Sequence, residues 1–287
     1  MRISDLYKPK KTVISFEIFP PKKDADIDTV YNTLNGLSVL GPDFISVTFG
    51  ASGERKGTNT TVEIVQYIKN NHKIEALAHL TCAGINNDDV NKIAADLKQR
   101  NIENILALRG DEMSLTGNFR YAKDLIAALK NYGFCIGAAA YPEGHISCDN
   151  LDEDIQHLKQ KEDAGADFFI TQLFFENSIF YKFMEKARTA GITVPVSAGI
   201  MPLLGKAQIE RMIFMCGASL PAPIIKLINK YGNEGESLMK AGIEYSYLQM
   251  QDLCDNKVEG IHIYTMNKPF IAEYCINKLK VNRVRNG

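Results

Sequence analysis

The chain has 287 residues, 45% apolar and 23% charged, with 33 basic residues against 34 acidic ones for a net charge of -1. That length suffices for one large core, and the charge balance excludes the electrostatic footprint of a nucleic-acid binder or of a protein held on an anionic membrane surface. Six cysteines without a C-x-x-C pair argue against a disulfide frame or a zinc site, and neither an apolar leader nor a run of about 18 apolar residues is present, so a reduced, cytoplasmic setting is expected.

The elements read off in order. Val13-Ile14-Ser15-Phe16 runs into Glu17 and predicts a first strand over 12–19. Ile27, Val30, Leu34, Leu37 and Leu40 then recur at helical spacing over 26–40. A second strand, 44–49, ends on Thr48, and a helix over 60–70 follows, with Thr60 or Thr61 as its cap. A third strand, 74–81, carries His79, and Asn87-Asp88-Asp89 opens a helix reaching about Gln99. The fourth strand, 103–108, runs into Arg109-Gly110-Asp111, with a helix over 119–131 closed by Gly133. The fifth, 134–140, runs into Tyr141-Pro142-Glu143-Gly144-His145, with a helix over 151–164 closed by Gly165. The sixth, 167–174, carries Thr171-Gln172, with a helix over 177–190 closed by Gly191. Gly suits these helix ends because it accepts a left-handed backbone. After the seventh strand, 194–200, a long connection holds helical segments at 206–216, 222–231 and 234–256 before the eighth strand, 260–265.

Eight strand-helix units imply parallel pairing with right-handed crossovers, and so a closed (β/α)8 barrel with extra helices between strands 7 and 8. No linker divides the chain, so one domain over 1–287 is expected. An open doubly wound sheet is the structural rival, but no G-x-G-x-x-G follows the first strand. In a barrel the strand C-terminal ends share one rim, where active sites form. The polar residues that close each run would converge there.

Glu17, set among Phe16, Ile18 and Phe19, carries a desolvation penalty that should raise its pKa and suit it to general acid work. A salt-bridged strand-end Glu is the bland alternative. Arg109 and Asp111 around Gly110 could hold a ligand bearing both charge signs, or form a structural pair. His79 and His145 lack companions at ligand spacing, so no metal is expected. Gln172 could meet a heterocycle edge or cap a backbone group. Gly50-Ala51-Ser52-Gly53 is a weak phosphate-approach signal. No nucleophile constellation appears, so the chemistry must come from a cofactor or a polarised substrate.

Taken together, the motifs resemble methylenetetrahydrofolate reductase. They run in order from Ser15-Phe16-Glu17-Ile18-Phe19-Pro20-Pro21-Lys22, through Ser46-Val47-Thr48-Phe49-Gly50-Ala51, His79-Leu80-Thr81-Cys82 and Leu106-Ala107-Leu108-Arg109-Gly110-Asp111. They continue through Ala139-Ala140-Tyr141-Pro142-Glu143-Gly144-His145, Asp163-Ala164-Gly165-Ala166-Asp167 and Ile170-Thr171-Gln172-Leu173-Phe174-Phe175 to His262-Ile263-Tyr264-Thr265-Met266-Asn267. The resemblance implies a barrel with noncovalent FAD, reduced by NADH or NADPH, which then passes hydride to methylenetetrahydrofolate by a ping-pong scheme. It implies Glu17 as the general acid that opens the imidazolidine ring to an iminium ion. Asp111 would lie between flavin and pterin and stabilise that cation.

By the same resemblance Gln172, Gln208, Met212 and Lys268 fall at folate positions. Thr48, Ala51, His79, Arg109, Gly110, Asp111, Ala122, Tyr141, His145, Asp154, His157 and Lys161 fall at flavin positions. Met212 stands where a stacking Phe is usual, Lys268 where an Arg is usual, and His157 and Gln160 where Asn and Arg are usual. Loss of the Phe motivates an alternative: a folate-reducing flavoprotein subunit fed by an electron-donor protein. A folate- or flavin-binding protein without turnover, or a metal-dependent lyase, are the remaining rivals. A homo-oligomer is implied, and the short chain implies no S-adenosylmethionine control.

Overall fold

The computed structural model describes residues 1–9, 11–21, 27–49, 56–110, 117–232 and 234–285. Alternation along the first strand sets the plan. In β1 (Val13–Ile18), Ile14, Phe16 and Ile18 pack outward against helices, while Val13, Ser15 and Glu17 face inward. The strands that follow are β2 (Phe44–Val47), β3 (Glu75–Thr81), β4 (Asn104–Leu108), β5 (Cys135–Ala140), β6 (Phe168–Thr171), β7 (Val196–Ile200) and β8 (Gly260–Tyr264). All pair in parallel and in sequence order, and β1 meets β8 through Ser15 opposite His262 and Glu17 opposite Tyr264. The expected (β/α)8 barrel is therefore present. Its strand ends fall within two residues of the expected ones, except in β6, which stops at Thr171 rather than 174.

Around the barrel lie α1 (Ile27–Ser38), α2 (Lys56–Tyr67), α3 (Asn87–Gln99), α4 (Ala122–Lys130), α5 (Leu151–Asp163), α6 (Asn177–Thr189) and α7 (Lys206–Cys216). The expected extra helices are α8 (Ala222–Tyr231) and α9 (Gly235–Asp255), and α10 (Pro269–Arg285) closes the ring. The outer core joins alternate strand residues, such as Phe16, Ile45, Ala76, Ile105, Ile136, Phe169, Ala198 and Ile261, to helix residues such as Leu34, Val65, Leu97 and Leu125.

Three helix starts differ from expectation. Because α2 begins at Lys56, Thr60 and Thr61 lie inside it, and the Thr61 hydroxyl donates to the Thr48 carbonyl (3.0 Å) instead of capping. The cap of α3 is Asn86, whose Oδ1 accepts from Asp89 N (2.9 Å) while Asp89 Oδ2 accepts from Asn86 N (3.1 Å), a reciprocal box. Helix α4 starts at Ala122 rather than 119, because the Asp124 carboxylate takes the Tyr121 N–H (2.9 Å) and fixes the entry there. Gly133, Gly165 and Gly191 sit at φ 73°, 113° and 81°, the left-handed turn expected of them.

The opposite end of the barrel is plugged. A 3-10 turn, Ile3–Leu6, sets Ile3, Leu6 and Tyr7 on inward residues Val13, Phe44, Leu77, Leu106, Cys135 and Phe168. Ile3 N donates to Asn104 Oδ1 (2.8 Å), and the Tyr7 hydroxyl lies 2.9 Å from Ser197 Oγ. Among the described residues no helix is long and apolar enough to cross a membrane.

Candidate active site

The inward positions turn polar toward the strand C-terminal ends. Glu17, on β1, is half-buried, with Oε2 3.7 Å from His79 Nε2 on β3 and 3.6 Å from His262 Nε2 on β8. His262 is fully buried. Its Nδ1 lies 2.7 Å from Ser15 Oγ, and its Nε2 lies 3.3 Å from Ser46 Oγ. Thr265 Oγ1 donates to the Glu17 carbonyl (2.7 Å), which holds the backbone beneath the carboxylate. The apolar setting expected for Glu17 is therefore wrong in detail: its nearest polar neighbours are two imidazoles.

Burial is the main cause that brings the His79 pKa down from 6.5 to about 4; Glu17 opposes it and His262 adds to it. His79 is neutral at physiological pH, and its Nε2 is buried without a hydrogen-bond partner in the protein. A depressed histidine pKa means that the unfolded chain binds more protons between about 4 and 6.5. This stabilising contribution is thus present above about pH 6.5 and is lost as pH falls toward the folded value of about 4. It amounts to at most about 3 kcal/mol. His79→Gln should flatten the acid limb of a denaturant-derived stability profile. An unchanged slope would place the acid sensitivity on other groups.

A cavity of about 520 Å³ opens beside β4, β5 and α5. Arg109, Ala122, Tyr141, His145, Asp154, His157 and Lys161, all singled out from the sequence, line it. Lys161 Nζ donates to the Ala139 carbonyl (2.8 Å) and sits 5.3 Å from the Tyr141 ring centroid. Burial brings its pKa down to about 8, against the pull of Asp154. Burial also raises the Asp154 carboxyl, with Lys161 and His157 opposing. His145 stands edge-on to Tyr141 at 4.7 Å, and Lys123 Nζ reaches Gln160 Oε1 (2.8 Å) across the mouth.

Other sequence-selected residues lie elsewhere. Thr48 and Gly110 are at the ends of β2 and β4 but do not line the cavity; Gly110 has φ 95°, which only Gly adopts without strain. Gln172 Oε1 accepts from its neighbour Leu173 N (2.9 Å), the backbone-capping alternative. Gln208 accepts from Leu204 N (2.7 Å) and donates to the Pro202 carbonyl (3.2 Å), bracing the turn into α7. Met212 packs with an apolar group that includes Leu173, Phe175, Met201 and Leu203. Lys268 is exposed just beyond β8. Ala51 and Asp111 fall outside the described residues.

Five residues around Glu17 were not singled out from the sequence as site residues: His262, Ser15, Ser46, Thr265 and Asn267. The Asn267 side chain accepts from Phe19 N (3.0 Å) and donates to the Phe19 carbonyl (2.9 Å), which ties the segment after Glu17 to the end of β8. Inward alternation from Glu17 would have found Ser15, and the polar His262 within Ile261-His262-Ile263 was the other available signal.

The barrel thus carries a positioned carboxyl and a cationic, aromatic-walled cavity whose lining does not include Glu17, His79 or His262, and comparison with known proteins gives them a context. A model of the family "Methylenetetrahydrofolate reductase" matches residues 2–280. The Escherichia coli 5,10-methylenetetrahydrofolate reductase is 35% identical over 258 residues, covering 89% of this chain and 86% of the relative. Methylenetetrahydrofolate reductase 1 of Schizosaccharomyces pombe is 33% identical over 293 residues, covering 97% of this chain but 48% of the relative. The chain thus spans about half the length of the eukaryotic relatives it matches. Among solved structures, an uncharacterized Clostridium thermocellum protein that binds two copies of 5-methyl-5,6,7,8-tetrahydrofolic acid superposes with a TM-score of 0.64. It is 17% identical, and 96% of each chain is covered, a likeness of fold alone. On the family match over nearly its whole length and the similarity to the bacterial enzyme, the chain belongs to the methylenetetrahydrofolate reductase family.

Proposed function

We propose that this protein reduces 5,10-methylenetetrahydrofolate to 5-methyltetrahydrofolate with NADH or NADPH, using noncovalent FAD, with residues 1–287 acting as one catalytic unit. The observation that carries the reading is Glu17, held against His79 and His262 at the rim of a barrel of this family. FAD, when bound, supplies reversible hydride storage between donor and folate.

The residues present fit such a dinucleotide. Arg109 and Lys161 offer cations to an anionic diphosphate, Tyr141 and Ala122 give apolar wall, and Asp154 and His145 offer polar contacts. The unpartnered His79 Nε2 offers one more polar contact toward the barrel mouth. Glu17 is positioned to donate the proton that ring opening of the folate requires. His262, fixed by Ser15 and Ser46, fixes Glu17 in turn. Gln172 follows β6 and Gln208 lies on α7, and small rotations from their backbone partners would present amide edges to a pterin.

Anaerobic stopped-flow absorbance of the FAD-loaded protein tests the reading. NADH or NADPH is expected to bleach the flavin, and methylenetetrahydrofolate to restore its colour. Recovery only after chemical reduction would identify a partner redox protein as the electron source. A protein that holds no flavin, or that folate cannot reoxidise from any donor, would overturn the proposal.

A further inference from the structure

One side of the cavity carries a ligand set that the chain's cysteine spacing does not advertise. Cys148 Sγ, an Asp154 carboxylate oxygen and a His157 ring nitrogen all lie within 4.8 Å of one another. Asp154 and His157 are three apart on α5 and so share a face of that helix. The turn before α5 brings the thiol over that face. Asn150 caps the helix, its Oδ1 accepting from Glu153 N (2.8 Å), and Cys148 Sγ donates back to the Asn150 carbonyl (3.4 Å). Exposure is graded outward: Asp154 is only 7% exposed, Cys148 is half-buried and His157 faces solvent. An inner carboxylate with a thiol and an exposed imidazole on the open side gives a cation both an anchor and an entry path.

We infer that Cys148, Asp154 and His157 form a binding site for a thiophilic divalent cation of the zinc class. Thiolate, imidazole and carboxylate are the donors such ions prefer, and three protein ligands leave a fourth, open position for water. Bond lengths of about 2.0–2.3 Å in a tetrahedron set ligand atoms roughly 3.3–3.6 Å apart. Closing to that from 4.8 Å asks for a rotation of the exposed His157 side chain. The cation replaces the thiol proton, which leaves to solvent. One thiolate and one carboxylate then balance the double charge, so the bound ion adds no net positive charge beside Lys161. Resting on the dinucleotide reading above, metal and FAD would share this wall and hinder each other's binding.

The test is titration of flavin-free protein with Cd2+, followed by the ultraviolet thiolate-to-metal charge-transfer band, with Zn2+ displacing it in competition. One equivalent per chain is expected. Cys148→Ala should lose the band. His157→Asn should keep the band and weaken binding by roughly tenfold or more, because even loss of a group behind a ligand costs 10–100-fold. Circular dichroism of both variants controls for folding. A band that survives in Cys148→Ala, or affinity unchanged in His157→Asn, overturns the site. In a second arm, Zn2+-loaded protein should take up FAD more weakly than metal-free protein. Failure of metal-free protein to bind FAD would overturn the dinucleotide reading, while the Cd2+ titration still decides the metal site.

Discussion

Glu17→Gln is expected to slow methylenetetrahydrofolate reduction by roughly 10²–10⁴-fold, the usual worth of a positioned acid. Flavin reduction by the nicotinamide should stay near its original rate. The substitution keeps shape and the contacts to His79 and His262 but removes the proton that the proposed general acid would deliver. The two half-reactions separate the explanations. Equal loss in both would mean a distorted site, and loss in neither would remove Glu17 from the chemistry. Single-turnover traces with each substrate measure them independently. His262→Ala offers a graded companion: it frees the carboxylate without removing it, so its effect should fall on the folate step and be smaller.

Gly199→Ala is expected to destabilise the protein by about 3 kcal/mol, the upper part of the range for an overpacked core. A Cβ at Gly199 would lie 2.2 Å from the Thr171 carbonyl oxygen and 2.9 Å from the Tyr264 ring and hydroxyl. The nearest obstruction is backbone and cannot swing aside. The Tyr264 hydroxyl donates to that same carbonyl (2.7 Å), and Gly199 N donates to Thr171 Oγ1 (2.8 Å), so a shift would loosen three strands together. Denaturant titration reads the loss. By contrast Gly205→Ala, where a Cβ meets nothing within 4 Å, should change stability little. Equal effects at the two positions would refute the packing argument.

Much of this molecule was legible because period-2 alternation and helical spacing were both clean. The eight strands announced themselves as apolar, β-branched runs, and Arg109 and Tyr141 stood at strand ends that a barrel brings together, while Lys161 followed only from the family resemblance. What stayed hidden depended on side-chain direction across the barrel. Inward pointing made His262 a partner of Glu17 although 245 positions separate them, and no local pattern encodes that. The start of α4 departs from the periodic expectation because Asp124 reaches back to Tyr121, a local capping choice that periodicity does not register. Asp154 and His157 were named only as flavin positions, and their grouping with Cys148 stayed hidden because a capped turn, not regular spacing, brings the thiol to them.

The seam between β1 and β8 has a consequence for how the chain reaches this state. Ser15 pairs with His262 and Glu17 with Tyr264, so the first strand synthesised waits for the last before either has both its neighbours. Contacts of such long sequence separation are entropically late and slow to form. Until the ring closes, the polar residues of β1 face water, and the unpaired edges of β1 and β8 are templates for pairing with other chains. Catalytic competence and protection from aggregation should therefore appear in the same kinetic phase on refolding, with the plug formed by Ile3, Leu6 and Tyr7 locking the far end once the strands have met.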